Sequence, residues 1–205
     1  MHSEILTPAQ TEILPFLAKY RAKYFMVGGT AIALHIGHRK SIDFDMFTIE
    51  KVNSLQIKKN VFGTNYTSSL IIALPDQIHF ILNGVKLTFF EYPFPVVADI
   101  DFQNIFRIPD LLSLAAMKAF ALGGRGKWKD YIDLYFIILN HYSIEEISAK
   151  ASLLFKGMFN QLLFKEQLCY YKDINYTEAI EFMPGFEIDE KTIKEFLTDA
   201  ALSEF

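Results

Sequence analysis

Short apolar runs with the spacing of β-strands dominate the first hundred residues of the chain. Residues 24–27 are all apolar and end on Gly28-Gly29. Such a run followed by two glycines predicts a buried strand that enters a tight turn. A short helix is predicted to follow over residues 30–36.

A second strand is predicted over residues 41–48, where apolar and polar side chains alternate. Because side chains on a strand point to opposite faces in turn, Asp43 and Asp45 are expected to lie side by side on one face. The apolar members of the opposite face are predicted to be Ile42, Phe44 and Met46.

Three antiparallel strands are predicted next, over residues 70–74, 77–82 and 85–92. Pro75-Asp76 marks the first turn between them, and Asn83-Gly84 is a strong signal for a two-residue hairpin turn. These patterns place an antiparallel sheet directly after the strand that carries the two aspartates.

Helical spacing of apolar residues replaces the strand pattern in the second half of the chain. Helices are predicted near residues 8–20, 53–60, 110–122, 127–139, 144–154, 159–171 and 191–202. The predicted fold class is α/β (α+β), with a small mixed sheet flanked by helices. The predicted domains are an α/β domain over residues 1–105 and a helical C-terminal domain over residues 106–205 packed on it.

The composition is that of a folded chain able to bury a large core. Of the 205 residues, 51% are apolar, and the formal net charge is −4. This charge argues against a general nucleic-acid coat, which would carry a basic excess. The single cysteine excludes a disulfide framework and a thiolate zinc site. We expect neither a signal peptide nor a membrane span, and therefore a cytoplasmic location without a membrane partner.

The paired carboxylates and the glycine turn together suggest phosphate and metal chemistry. Asp43 and Asp45 repel each other unless a cation lies between them, and carboxylate oxygens are the ligands that Mg²⁺ prefers. The backbone N–H groups of a glycine turn at a helix N-terminus suit a phosphate. A phosphate cradle next to metal-binding carboxylates is the chemistry of nucleotide transfer.

The segment from Gly28-Gly29-Thr30 to Arg39-Lys-Ser-Ile-Asp-Phe-Asp45 resembles the first motif of the nucleotidyltransferases of DNA polymerase β type. Its sequence is similar to that of the AbiEii toxin branch of this superfamily, and the resemblance covers residues 20–140. It implies a nucleotidyltransferase-like fold and transfer of a nucleoside monophosphate from an NTP to a hydroxyl. It also implies Mg²⁺ or Mn²⁺ as cofactor, tRNA or another RNA as acceptor, and an antitoxin as partner protein.

The resemblance also assigns roles to individual residues. Asp43 and Asp45 would bind the metal and act in catalysis together with Lys118, Asp130 and Asp133. The substrate would be bound by Gly28, Gly29, Thr30, Arg39, Ser41, Arg125, Lys127 and Lys129. Because Asp133 lies beside a wholly apolar helix face, we expect it to be paired, with Lys118 or Arg125 as the candidate partner.

The resemblance also implies a third metal-binding carboxylate on the strand after the hairpin, and Thr88 stands at that position. Glu91 is the nearest acid on that strand, but alternation places it on the opposite face. A non-catalytic member of the fold that binds a nucleotide or a partner protein is therefore an alternative. A transferase acting on a small molecule or a protein hydroxyl is another.

Overall fold

The computed structural model describes residues 1–203, which form a seven-stranded mixed sheet and eight α-helices. The strands are β1 (Phe25–Val27), β2 (Asp43–Thr48), β3 (Ser68–Ala73), β4 (Gln77–Leu82), β5 (Val85–Glu91), β6 (Ile100–Phe102) and β7 (Phe106–Ile108). The helices are α1 (Pro8–Ala18), α2 (Gly28–Ile36), α3 (Ser54–Phe62), α4 (Leu111–Leu122), α5 (Trp128–Asn140), α6 (Ile144–Phe155), α7 (Gln161–Leu168) and α8 (Glu190–Leu202).

The strand order across the sheet is β3-β4-β5-β2-β1-β7-β6. Strand β2 lies at the centre, antiparallel to β1 and parallel to β5. This register places Asp45 opposite Val27 on one side and opposite Thr88 on the other. The predicted mixed sheet with flanking helices is therefore confirmed, and the two aspartates lie on its central strand.

Alternation along β2 follows the prediction, because Phe44 and Met46 are fully buried whereas Asp43 and Asp45 are half-buried on the other face. Ile42 differs from the prediction. The strand begins one residue after it, and its side chain is 64% exposed. The spacing of apolar residues could not predict this exposure, because it does not show that the pairing of β2 with β1 ends at Asp45.

The predicted hairpins are present. Asn83 and Gly84 both have positive φ, of 51° and 78°, as a two-residue turn of this type requires. Strands β6 and β7 were not predicted, since each has only three residues. They form a hairpin whose second strand pairs in parallel with β1. The boundary at residue 105 therefore falls inside this hairpin, and the division into two domains stays a prediction.

Helix α5 lies deep in the helical half, and its residues Tyr131 to Ile137 are all buried. The helix predicted over 159–171 is shorter than expected, since α7 begins after Asn160, whose side chain caps it, and ends at Leu168. Within residues 1–203, every helix falls short of the length and apolarity that crossing a bilayer requires.

Candidate active site

A cavity of about 750 Å³ opens between the sheet and the helices α4 and α7. Its polar lining comes mainly from the strands and includes Asp45, Gln77, His79, Lys86 and Thr88. Its apolar lining includes the aromatic residues Phe47, Phe90, Tyr92, Phe120, Phe159 and Phe164. A cavity with a charged wall and an aromatic wall suits a ligand that is ionic at one end and planar at the other.

Asp43 and Asp45 lie on the same face of β2, and Asp45 lines the cavity. Burial raises the pKa of the Asp43 carboxyl. The nearby Lys129 ammonium opposes this shift, whereas the Asp45 carboxylate adds to it. The Nζ of Lys129 lies 3.9 Å from Oδ2 of Asp43. The pair is therefore crowded, and a cation would relieve its repulsion.

Gly28 brings the N-terminus of α2 against the Asp45 carboxylate. Its φ is +74°, and a Cβ atom built on it would lie 2.4 Å from Oδ2 of Asp45. Among the described residues, no side chain caps this end of the helix, so its first backbone N–H groups remain for a ligand. Glycine is therefore required here both by its conformation and by the close approach of Asp45.

Replacing Gly28 by alanine should lower the free energy of unfolding more than the same change at Gly84. Both glycines have φ near +75°, but a Cβ atom at Gly84 meets nothing within 4 Å. The backbone strain is thus matched, and only Gly28→Ala pushes against Asp45. We expect a difference of at least about 1 kcal/mol in denaturant unfolding, the size of an overpacking cost. Equal losses in the two variants would contradict the close contact.

Thr30 and Ser41 are buried and tie α2 to the start of β2. The Thr30 hydroxyl donates to the main-chain carbonyl of Asp43, and its oxygen lies 2.9 Å from Oγ of Ser41. Both were predicted to bind substrate. In this arrangement their side chains fix the position of Asp43, and their binding of substrate stays a prediction.

A buried ion cluster centred on Asp133 lies behind the cavity. The Asp133 carboxylate is fully buried and accepts two hydrogen bonds from the Arg39 guanidinium, at 2.7 and 2.9 Å. It also accepts one from Nε2 of His38 at 2.8 Å and lies 3.1 Å from Nζ of Lys118. Asp133 is paired, as expected, and of its two candidate partners Lys118 lies beside it whereas Arg125 lies beside Asp130. Arg39 is only 3% exposed, so its guanidinium binds Asp133 rather than facing the cavity.

Burial alone would raise the pKa of Asp133, but the charges of Arg39 and Lys118 outweigh it and hold this pKa well below its usual 3.8. The pKa of His38 is also lowered, because burial outweighs the hydrogen bond to Asp133, and for an imidazole this favours the neutral form. A neutral His38 is consistent with its surroundings, since Arg39 and Lys118 already balance the local carboxylates.

Lys118 connects this cluster to the cavity, which it lines. Its ammonium donates to Oδ1 of Asp130 at 2.7 Å, and Asp130 is fully buried. Arg125, on the glycine-rich turn before α5, lies 3.3 Å from the other oxygen of Asp130. The Arg125 side chain is 52% exposed and also lines the cavity, so it is free to turn toward a ligand.

Lys127 and Lys129 both donate to Glu178, which lies in the connection between α7 and α8. Burial would raise the pKa of Glu178, but the hydrogen bonds from these two lysines outweigh it and lower the pKa to about 2. Lys129 therefore lies between two carboxylates, those of Glu178 and Asp43. Of the two lysines predicted to bind substrate, Lys129 reaches Asp43, and both are partly neutralised by Glu178.

The position opposite Asp45 on β5 is Thr88, as the sequence indicated. Glu91 pairs with Thr48 at the far end of the strand. Within residues 1–203, no group of three or more His, Cys, Asp or Glu side chains is arranged to hold a metal ion. Protein ligands to a metal here would thus be limited to Asp43 and Asp45.

Three polar residues on the sheet side of the cavity were not singled out from the sequence. Gln77 and His79 on β4 and Lys86 on β5 share the cavity face, and Thr88 lies in register between His79 and Asp45. Alternation along the predicted strands does place these side chains on one face, so the sequence pattern could have indicated that they lie together. What the sequence lacked was the parallel pairing of β5 with β2, which brings that face to the aspartates.

Comparison with known proteins supports the fold. No protein-family profile matches the chain. An uncharacterized protein of Aquifex aeolicus is 29% identical over 184 residues, covering 85% of this chain and 88% of its own length. Among solved structures, the chain is similar to MenT4, a nucleotidyltransferase toxin of Mycobacterium tuberculosis, with a TM-score of 0.62 and 10% identity over 95% of this chain and 82% of MenT4.

A second solved structure, JHP933 of Helicobacter pylori, has a TM-score of 0.53 and 14% identity, covering 98% of this chain and 88% of that one. At such low identity these likenesses establish the fold. The predicted nucleotidyltransferase-like fold is therefore confirmed.

Proposed function

We propose that this chain transfers a nucleoside monophosphate from an NTP to an acceptor hydroxyl, releases pyrophosphate, and acts as the toxin of a toxin–antitoxin pair. The observation that carries the proposal is the meeting of the Asp45 carboxylate and the uncapped N-terminus of α2 at one cavity, which Lys118 also lines. This meeting occurs in a fold shared with a nucleotidyltransferase toxin.

The donor set fits one Mg²⁺ or Mn²⁺ ion held jointly by the protein and the triphosphate. Two carboxylates on one strand face are what Mg²⁺ takes from proteins that also present it with phosphate oxygens. When bound, the ion would polarise the α-phosphate and lower the pKa of the attacking hydroxyl. Asp43 and Asp45 are the residues that would hold it.

The remaining roles follow from charge and position. The first N–H groups of α2 bind the β- and γ-phosphates beside Gly28 and Gly29. Arg125 and Lys86 face the cavity as cations and balance the triphosphate charge, while Lys118 is held in place by Asp130 and Asp133. The ring cluster of Phe47, Phe90 and Tyr92, with centroids 5.0–6.3 Å apart, offers an apolar face for the base.

Transfer also needs a group that accepts the hydroxyl proton while the acceptor oxygen bonds to the α-phosphorus and the bond to the pyrophosphate oxygen breaks. His79 is placed for this on the cavity wall, across Thr88 from Asp45. Its Nε2 lies 2.8 Å from Oε1 of Gln77, which leaves Nδ1 as the acceptor. Burial lowers the pKa of His79, Lys86 lowers it further, and Asp45 opposes them. The imidazole is therefore neutral at pH 7.

Replacing His79 by glutamine should slow transfer about a hundredfold, the lower range for loss of a general base. Glutamine keeps a polar side chain beside Gln77, so unfolding should change little. In the wild type, the rate should fall as pH drops through the lowered pKa of His79, because the imidazole becomes charged there. A pH–rate profile of His79→Gln that keeps the same acid limb would contradict this role.

The proposed donor and acceptor classes are tested together by incubating the chain with each α-labelled NTP, Mg²⁺ and total cellular RNA. Label appearing in RNA identifies the acceptor as RNA, with tRNA resolved by its size. A parallel reaction with a protein extract and small hydroxyl compounds tests the transferase alternatives. Absence of labelling with all four NTPs and all acceptors would favour a member of the fold that only binds.

A further inference from the structure

Strand β3 forms an open edge of the sheet. It pairs with β4 on one side, and in the described part of the chain no strand pairs with its other side. Its residues 69–73 are all exposed, including Leu70 at 41%, Ile71 at 52% and Ile72 at 37%. Since exposed residues occur at consecutive positions, both faces of the strand are open to solvent as well as its edge.

Strand β3 has one of the usual protections of an edge strand, a β-bulge, but it lacks the charged residues and prolines that natural edges also use. Natural edges carry lysine, proline, inward-pointing charges or a covering helix. Residues 65–74 contain no charged residue and no proline. A β-bulge between Leu70 and Ile72 twists the strand, but it adds a further apolar side chain, Ile71. An open, uncharged, aliphatic edge of this kind is a template for pairing with another strand.

The opposite edge of the sheet is protected. Strand β6 has only three residues, and its middle residue Asp101 forms an ion pair with Arg21 at 2.6 Å. The contrast shows that the apolar character of β3 is a local property and not a general feature of this sheet.

The exposed apolar surface continues from β3 onto helix α3. Phe62 is 55% exposed, and its ring lies 5.9 Å from that of Phe80 on β4, the strand next to β3. Leu55, 82% exposed, is seven residues earlier and so lies on the same face of the helix. Contiguous apolar surface at a sheet edge is characteristic of an interaction site.

We propose that β3 is a self-association surface on which the same strand of a second copy of this chain pairs in antiparallel fashion about a two-fold axis near Ile71. A segment that pairs with β3 must be extended and must have an open edge of its own. Because β3 exposes apolar side chains on both faces and carries no charge, the pairing segment must also be apolar on both faces and uncharged. Strand β3 itself meets all of these requirements. A two-fold pairing about Ile71 brings this side chain against its own equivalent and brings Leu70 against Ile72 of the partner subunit, so apolar side chains meet apolar side chains.

The arrangement joins two seven-stranded sheets into one continuous sheet across the dimer. Strand β4 separates β3 from β5 and the aspartate strand, so the pairing leaves Asp43 and Asp45 outside the contact. The inference is independent of the proposed transfer activity, since it rests on the edge strand and not on the cavity.

The test is the mass of the full chain in solution, measured by sedimentation equilibrium over a wide concentration range. We expect the wild type to be a dimer, and Ile71→Lys and Ile71→Glu each to be monomers because like charges would face each other across the axis. An equimolar mixture of the two variants should regain the dimer, since the charges then pair. Leu153→Lys, at a 75% exposed position on α6, is the matched control and should remain dimeric.

Unchanged thermal melting of the Ile71 variants, measured under conditions where the wild type is dilute enough to be monomeric, shows that they fold. A wild type that is monomeric at all concentrations would overturn the proposal and leave β3 to a different partner chain. A dimer that survives Ile71→Lys, or a mixture of the Lys and Glu variants that stays monomeric, would overturn it as well.

Discussion

Asp45→Asn is expected to abolish nucleotide transfer while leaving the melting temperature unchanged or slightly raised. Asparagine has the shape of aspartate but removes one charge of the metal-binding pair. The metal supplies several kcal/mol of transition-state stabilisation. A loss of about 3 kcal/mol corresponds to a rate about a hundredfold lower, and we expect at least that.

The stability of Asp45→Asn follows from the repulsion within the aspartate pair. The Asp45 carboxylate contributes to the raised pKa of Asp43, so its charge opposes ionisation of its neighbour. Removing it relieves that repulsion and leaves no buried cation unpaired, because Lys129 lies next to Asp43 and Glu178. Asp99→Asn, an exposed aspartate outside the cavity lining, is the control and should change neither property. A large fall in melting temperature in Asp45→Asn would contradict this account.

In contrast to Asp45→Asn, the Asp133→Asn substitution is expected to lower the free energy of unfolding by a large amount. The carboxylate is fully buried and neutralises Arg39 and Lys118, which are themselves buried. Removing one partner of a buried ion pair leaves an uncompensated charge and costs about 3–5 kcal/mol. For a chain of this size we expect a melting temperature lower by about 6–20 °C.

The control for Asp133→Asn is Asp101→Asn, which breaks the Arg21 ion pair at the surface. Both of its side chains are 40% exposed, so the loss should be no more than about 1 kcal/mol. Equal losses in the two variants would mean that the buried cluster contributes nothing beyond a surface pair.

The same cluster sets part of the acid sensitivity of the chain. The pKa of Asp133 is far lower in the folded state than its usual 3.8, so its stabilisation is present above that value. It is lost as pH falls further, through the folded-state pKa. In Asp133→Asn, the free energy of unfolding should therefore depend less steeply on pH below about 4 than in the wild type.

Local patterns predicted the part of the site that lies on a single segment. Alternation placed Asp43 and Asp45 on one face, and the glycine pair marked the region where α2 starts, although the helix begins at Gly28 and not after the glycines as predicted. The hairpin signals gave β4 and β5, and with them the face that carries Thr88. Each of these features depends on residues that are close together along the chain, so a local sequence pattern is enough to predict it.

Contacts between distant segments could not be predicted in the same way. Arg39 was expected to bind substrate, yet it pairs with Asp133, 94 positions away in the chain. His38 was not expected to have a role, yet it is buried against the same carboxylate. The three-residue strands β6 and β7 are stabilised mainly by pairing with each other and with β1, and their own sequences carry little strand signal.

The proposed nucleotide-transfer site is formed by Asp45 and the N-terminus of α2. It can be tested by measuring the mass of the acceptor after incubation of the wild type with NTP and Mg²⁺, with the released pyrophosphate quantified in the same reaction. We expect an acceptor heavier by one nucleoside monophosphate for each pyrophosphate released, with both signals absent from Asp45→Asn. Equal pyrophosphate release by the wild type and Asp45→Asn, or an acceptor of unchanged mass, would contradict this proposal.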